Sequence, residues 1–275
     1  MARPADPDDL ALALDLTDRA DRLTFEAFRR DDLVVETKPD LTPVTEADRA
    51  VEAALREELA RQRPGDSVVG EELGTSGEPG RRRWIIDPID GTKNFVRGIP
   101  VWATLLALEA DGRMVVGAAS APALGRRWWA GRGLGAFAGP AGVRGFDGVA
   151  GAVPIRVSKV ASLADAQLSG AGLSGWDAHG GPAGAVALAQ ACGRARGFGD
   201  FWSHVLVAEG ACDIGLDPVV SLWDLAALQV IVEEAGGRFT DLDGIPRSDG
   251  GSAVSSNGLL HEAALAALRG KPGGA

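Results

Sequence analysis

Trp84-Ile85-Ile86-Asp87-Pro88-Ile89-Asp90-Gly91-Thr92 is the stretch on which the reading of this chain turns: an apolar run that ends in two aspartates separated by two residues. Pro88 disfavours the helical region for the residue before it and so holds Asp87 extended. Gly91 permits a sharp turn, so both carboxylates can converge beside the end of a strand. Two carboxylates meeting without a counter-charge repel, and one of them tends to take up a proton. A divalent cation removes that penalty. An all-oxygen donor set suits a hard ion such as magnesium or manganese rather than zinc held by His and Cys, and the whole chain has three His. Asp-Pro and Asp-Gly are also ordinary turn chemistry, so the stretch by itself leaves a plain turn open.

Outward from this stretch, Ser67-Val68-Val69-Gly70 reads as a short buried strand running into a second acidic pair, Glu71-Glu72. Thr45-Glu46-Ala47-Asp48 opens a helix through about residue 61 with the spacing of a capping box. Apolar residues at helical spacing predict an amphipathic helix over residues 10–28, followed by a polar, Pro-containing loop at 36–44. Downstream, 101–108, 113–120 and 127–130 read as strands joined by turns, which suggests an antiparallel sheet rather than a βαβ repeat. The glycine-rich stretch 131–151 reads as a loop and 182–192 as a helix. Residues 205–209 continue an apolar pattern, and a helix over 225–235 is stopped by Gly236-Gly237. Asp224, directly before that helix, would serve as an ordinary N-cap.

The chain has 275 residues, enough for one large domain or two interlocked halves. We divide it into 8–150 and 151–269, with tails at 1–7 and 270–275. No stretch approaches the ~20 apolar residues of a membrane span. The polar, acidic N-terminus lacks the basic start and apolar core of an export signal, so a cytoplasmic protein is expected. Cys192 and Cys212 stand in neither finger nor redox spacing and read as buried free thiols. A formal net charge of −10 disfavours nucleic acid. The same charge would repel an anionic substrate unless some of the acids hold divalent cations, which reverse the local potential.

Taken together, Gly70-Glu71-Glu72, Asp87 to Thr92 and Trp223-Asp224 resemble the three signatures of the inositol monophosphatase family, in its order and over nearly the whole chain. The resemblance implies an α+β fold, a layered αβαβα sandwich, and a homodimer. It implies metal ligation by Glu71, Asp87, the carbonyl of Ile89, Asp90 and Asp224, and a joint role for Asp48 and Thr92, with Lys38 in the family's lysine-containing loop. Two or three Mg2+ ions are expected, Mn2+ being a possible substitute. A pair of ions about 3.5–4 Å apart can activate a water, neutralise the phosphoryl oxygens and stabilise the leaving alkoxide. The main-chain N–H groups of Gly91 and Thr92 can cradle the phosphate as a helix N-terminus does.

Three further stretches, at 94–102, 121–129 and 199–204, resemble the family's histidinol-phosphate-hydrolysing members. Asp217 occupies the place where the inositol enzymes carry an acid that contacts substrate hydroxyls. Histidinol offers an ammonium and an imidazole, both donors to carboxylates, so Asp200 and Asp217 at the pocket would favour it over a neutral polyol. The alternative for both is that they are surface turn residues beside glycine and proline. Trp102 and Trp202 are candidates to line the imidazole site, though tryptophans commonly belong to the core, and His204 reads as structural. The expected substrate is therefore a small phosphorylated metabolite, histidinol phosphate first. Inositol 1-phosphate, fructose 1,6-bisphosphate and a catalytically silent metal-binding role are the alternatives.

Overall fold

The computed structural model describes residues 4–30, 32–38, 43–141, 151–170 and 172–270. Residues 39–42 of the expected polar loop, 142–150 of the glycine-rich stretch, and 1–3 and 271–275 of the expected tails lie outside the described residues.

Helix α1 (Pro7–Ala27) starts where the side chain of Asp6 accepts from the Asp8 amide at 3.0 Å, with Pro7 at its first position. A two-stranded ribbon, β1 (Val35–Thr37) and β2 (Pro43–Thr45), leads into α2 (Glu46–Gln62). Next come β3 (Ser67–Gly70), β4 (Gly74–Ser76), β5 (Arg82–Asp90), a single turn of helix α3 (Thr92–Val96), β6 (Ala103–Ala110), β7 (Arg113–Ala121), β8 (Arg126–Gly131), β9 (Gly135–Pro140) and β10 (Val153–Pro154). The remainder is β11 (Gln167–Gly170), α4 (Ala183–Ala191), β12 (Arg194–Arg196), α5 (Asp200–Ala208), β13 (Ile214–Asp217), α6 (Leu222–Glu234), β14 (Arg238–Thr240), β15 (Ala253–Ser256) and α7 (His261–Leu268).

The first large sheet has the order β10-β9-β8-β7-β6-β5-β3-β4, antiparallel except for the parallel pair β3–β5. The second has the order β12-β11-β13-β15-β14, with β11, β12 and β13 parallel and the rest antiparallel. Side chains alternate across a strand, and both faces of the first sheet are covered. Ile86, Leu106, Leu108 and Val116 meet Leu10 and Leu14 of α1 and Val51 and Leu55 of α2. Ile85, Leu105, Ala107 and Ala119 meet Phe201 and Val205 of α5 and Leu225 to Val232 of α6. Beyond the second sheet lie α4 and α7, packed on Ile214, Leu216 and Val254. The layers therefore run αβαβα, the α+β sandwich that the resemblance implied.

Helix α6 lies between two sheets, and Leu225 to Val232 are all buried. It therefore carries no single apolar stripe. It comes so close to β7 that a Cβ on Gly117 would sit 2.3 Å from the carbonyl oxygen of Ala227. At the opposite face, Arg127 is fully buried and paired with Asp18 at 2.8 Å and Asp21 at 2.6 Å, which ties β8 to α1. Cys192 and Cys212 are buried free thiols, as expected.

Strand β5 ends in the two aspartates, as the sequence suggested, and its register with β6 shifts between Asp87 and Asp90. Pro88 is tolerated there because a bulge needs no ladder N–H. Two local expectations are corrected. Asp224 is not the N-cap of α6. That position is Ser221, and Asp224 is the third helical residue. The described part of 131–151 is not all loop: β9 pairs with β8 from Gly131↔Gly135 to Arg126↔Pro140. Gly139 is glycine because a Cβ there would lie 2.9 Å from the Gly151 carbonyl, so close packing accounts for it.

Candidate active site

The bulge in β5 turns Asp87 and Asp90 toward the first turn of α6, where Asp224 waits. One carboxylate oxygen from each of the three lies within 4.8 Å of the others. Each acid is also held from its own side. Asp87 Oδ1 accepts from the Ile89 amide at 3.0 Å, Asp90 Oδ2 from the Phe201 amide at 2.8 Å, and Asp224 Oδ2 from the Ser221 amide at 2.7 Å. Burial, reinforced by the neighbouring acids, raises the Asp87 and Asp90 carboxyls well above the usual range. Burial also lifts Asp224 to about 7, against the pull of its bond from the Ser221 amide.

Glu71 stands just beyond β3 and does not join that three-way group. Its Oε1 accepts from Lys38 Nζ at 2.7 Å, and the same ammonium reaches Glu72 Oε1 at 2.5 Å. Lys38 is half-buried between the two glutamates, which rules out its being merely a solvated side chain. Burial carries Glu72 up to about 7 despite that ammonium. Glu71 nevertheless acts electrostatically on both Asp87 and Asp224, so the two acidic groups border one site. Sequence reasoning missed the residue that shapes this turn: the fully buried Glu52 accepts from the amides of Glu72 at 2.8 Å and Leu73 at 3.1 Å. The available signal was Gly70, where a Cβ would collide with the Glu52 carboxylate at 2.0 Å.

Asp48 satisfies its two readings at once. Its Oδ2 accepts from the Thr45 amide at 2.8 Å and the Thr45 hydroxyl at 2.5 Å, completing the capping box of α2. Its Oδ1 lies 3.3 Å from Thr92 Oγ1. The Thr92 hydroxyl is also 2.9 Å from the carbonyl of Ile89, so that carbonyl faces the turn at Gly91, whose φ is 82°. Burial raises the Asp48 carboxyl above its ordinary range. Asp224 repeats the arrangement as the acid that closes the α6 capping box, at the third helical position, while reaching the acidic cluster. Helices α2, α3, α5 and α6 thus all present their N-terminal turns here, through Asp48, Thr92, Asp200 and Asp224. Their aligned peptide dipoles favour an anion.

Asp200 and Asp217 are not surface turn residues. Asp217 is buried at the end of β13, where His204 Nε2 bonds Oδ2 at 2.7 Å while His204 Nδ1 bonds the Ser255 hydroxyl at 2.8 Å. His204 is structural, as its sequence context suggested. Asp200 opens α5 with a φ of 48°, and its Oδ2 accepts from Asn94 Nδ2 at 2.9 Å. Burial, then the nearby Asp217, lifts Asp200 to about 6, and both acids contribute to the raised value of Asp90. Trp102 is removed from the pocket. It is fully buried, 5.2 Å from the Phe28 ring and 4.9 Å from that of Phe95, because the chain after α3 turns into the core beneath α1. Trp202 is half-buried against Phe198, with ring centroids 5.4 Å apart.

A divalent metal ion fits these residues. The donors are all oxygen, Asp87 and Asp90 are buried and Asp224 is half-buried, and their proton affinity is raised by burial and then by mutual repulsion, which a hard cation would relieve. Lys38 bonds Glu71 and Glu72 and so engages the glutamates rather than the three aspartates.

The sequence profile described as the Inositol monophosphatase family matches residues 8–272. A histidinol-phosphatase from Mycobacterium tuberculosis is 57% identical over 263 residues, covering 95% of this chain and 98% of the relative. One from Streptomyces coelicolor is 51% identical, covering 95% and 97%. The solved structure of an inositol monophosphatase from Zymomonas mobilis superposes with a TM-score of 0.82 at 31% identity, covering 97% of this chain and 100% of that one.

Proposed function

The chain belongs to the inositol monophosphatase family, and from that premise we propose that it is a magnesium-dependent phosphomonoesterase that hydrolyses histidinol phosphate to histidinol and inorganic phosphate. The observation that carries this reading is the continuity of two acidic surfaces. The group Asp87, Asp90 and Asp224 adjoins a second pair, Asp200 and Asp217, suited to a leaving alcohol that brings its own positive charge.

Glu71, Asp87, the Ile89 carbonyl, Asp90 and Asp224 would hold two or three Mg2+ ions, with Mn2+ able to replace them. When bound, such ions supply Lewis acidity and lower the pKa of a water. The chain's own residues do the rest. Thr92 Oγ1 accepts a proton from the attacking water as its own proton passes to Asp48 Oδ1, 3.3 Å away. The amides of Gly91 and Thr92, with the converging helix N-termini, receive the phosphoryl oxygens. Asp200 and Asp217 receive the ammonium and imidazole of the leaving alcohol. Lys38 balances Glu71 and Glu72 and borders the substrate. In this reading the half 8–150 supplies most of the metal ligands, and the half 151–269 supplies Asp224 and the leaving-group pocket.

No helix among the described residues is long and apolar enough to cross a membrane. We further infer a cytoplasmic homodimer engaged in amino-acid biosynthesis, which sedimentation can test. The decisive assay is phosphate release from histidinol phosphate and inositol 1-phosphate side by side, with Mg2+ and with a chelator. A preference for histidinol phosphate of roughly tenfold to a hundredfold is expected, the size of one or two charge-assisted hydrogen bonds. Equal or faster turnover of the inositol ester would reject this substrate, and full activity in chelator would reject the metal.

A further inference from the structure

Asn94 joins the phosphate turn to the leaving-group helix through one side-chain amide. Its Nδ2 donates to the Val101 carbonyl at 2.9 Å and to Asp200 Oδ2 at 2.9 Å, so both amide hydrogens are used. The orientation is determined by chemistry: turning the amide over would set its oxygen against two acceptors. The main chain of Asn94 is equally committed, its N–H donating to Gly91 O at 2.8 Å and its carbonyl accepting from Ile99 at 2.9 Å. Asp200 meets it in a constrained backbone, with φ 48° after Gly199 at φ 81°. Asp200 Oδ2 is further seated against Gly91, where a Cβ would lie 3.4 Å from it. No described residue is shown hydrogen-bonded to Oδ1 of Asp200.

We propose that Asn94 is a specificity-positioning residue: it anchors one oxygen of Asp200 and leaves the other for the cationic group of the leaving alcohol. This rests on the substrate reading above and adds a role for a residue that touches neither the phosphate nor a metal ligand. An amide suits the task because it orients a carboxylate without neutralising it. A lysine or arginine at the same place would cancel the charge that selects an ammonium, as Lys38 does for Glu71 and Glu72. Asp at 94 would repel Asp200 outright, and Ala would leave its carboxylate free to rotate.

The test is a double-mutant cycle in the Mg2+-loaded full chain, reading kcat and KM on histidinol phosphate and on glycerol 3-phosphate, whose leaving alcohol is neutral. Asn94→Ala is expected to lower the selectivity for histidinol phosphate about tenfold, mainly through KM. Asn94→Asp keeps the size and the turn while removing the donor, and is expected to lower it further. Asp200→Asn is expected to lower it at least as much, and Asn94→Ala/Asp200→Asn no further than Asp200→Asn alone. Circular dichroism and thermal melting confirm folding, and Asn94→Asp carries the test if Asn94→Ala does not fold. Equal loss on both substrates would overturn the proposal, since the amide would then serve only the phosphate turn. Multiplying losses in the double variant would overturn it too, because the two residues would act independently. If the unaltered enzyme lacked any preference for histidinol phosphate, the substrate reading would fail first, and this inference with it.

Discussion

The main-chain amide of Phe201 donates to Oδ2 of Asp90 at 2.8 Å, across 111 residues of sequence. This bond holds the first turn of α5, and with it Asp200, against the acidic end of β5. The proposed leaving-group pocket and the acidic cluster therefore adjoin, with the C-terminal sheet and its helices placing acids beside those of the N-terminal sheet.

Asp90→Asn retains an oxygen acceptor for the Phe201 amide but loses the charge. The variant is expected to fold, with magnesium-dependent turnover reduced at least about a hundredfold. The melting-temperature increase produced by Mg2+ should shrink alongside. Phosphate release and calorimetry with and without Mg2+ measure both, and unchanged turnover would remove Asp90 from the metal site.

Burial raises Asp200 to about 6 and Asp224 and Glu72 to about 7. Groups raised in the folded state bind more protons there than when unfolded. Their contribution to stability is complete below the unfolded values and is lost as pH rises through the folded ones. The metal-free protein should therefore melt at progressively lower temperature from pH 6 to pH 8, while the stabilisation by Mg2+ grows over the same interval. His261, which burial holds down to about 4, gives the opposite slope only below its ordinary 6.5. Melts in chelator that stay level or rise between pH 6.5 and 8 would contradict this.

Removing Lys38 leaves Glu71 and Glu72 facing each other without their shared ammonium. Lys38→Met is expected to destabilise the metal-free protein by about 1–3 kcal/mol, or roughly 2–10 °C in melting temperature. Part of that loss should return with Mg2+, which supplies the missing positive charge. A loss of the same size with and without Mg2+ would mean that Lys38 contributes packing rather than charge balance.

Gly117→Ala tests the contact that seats Asp224. Its new Cβ would stand 2.3 Å from the Ala227 carbonyl, backbone against sheet, so α6 must shift. A destabilisation of about 1–3 kcal/mol is expected from urea denaturation with an unchanged slope. Turnover per folded molecule should also fall, because α6 carries Asp224 in its first turn.

Much of the chemistry was legible because it is local. Asp87 and Asp90 are three residues apart, and Pro88 and Gly91 constrain the backbone between and after them wherever the strand lies. The capping spacing at Thr45 and Asp48 likewise survives into α2 unchanged. The second sheet was not legible. Its strands are three or four residues long, too short for an alternating pattern, and they pair in mixed directions. Strand β9 was hidden for a different reason. Its Gly139 marks the close approach of Gly151 and Ala152, just before β10, but along the chain the glycines resemble a loop.

From its sequence alone, this chain was committed to acidic turns, their capped helices and a buried strand, because those depend on neighbouring residues and on backbone stereochemistry. Only the packing of five layers decided that Asp224 meets Asp87 and Asp90, that one oxygen of Asp217 bonds His204 while Trp102 sinks among Phe28 and Phe95, and that Asn94 reaches Asp200. Distances between groups a hundred residues apart are set by which faces exclude water together, and chain spacing carries no record of that.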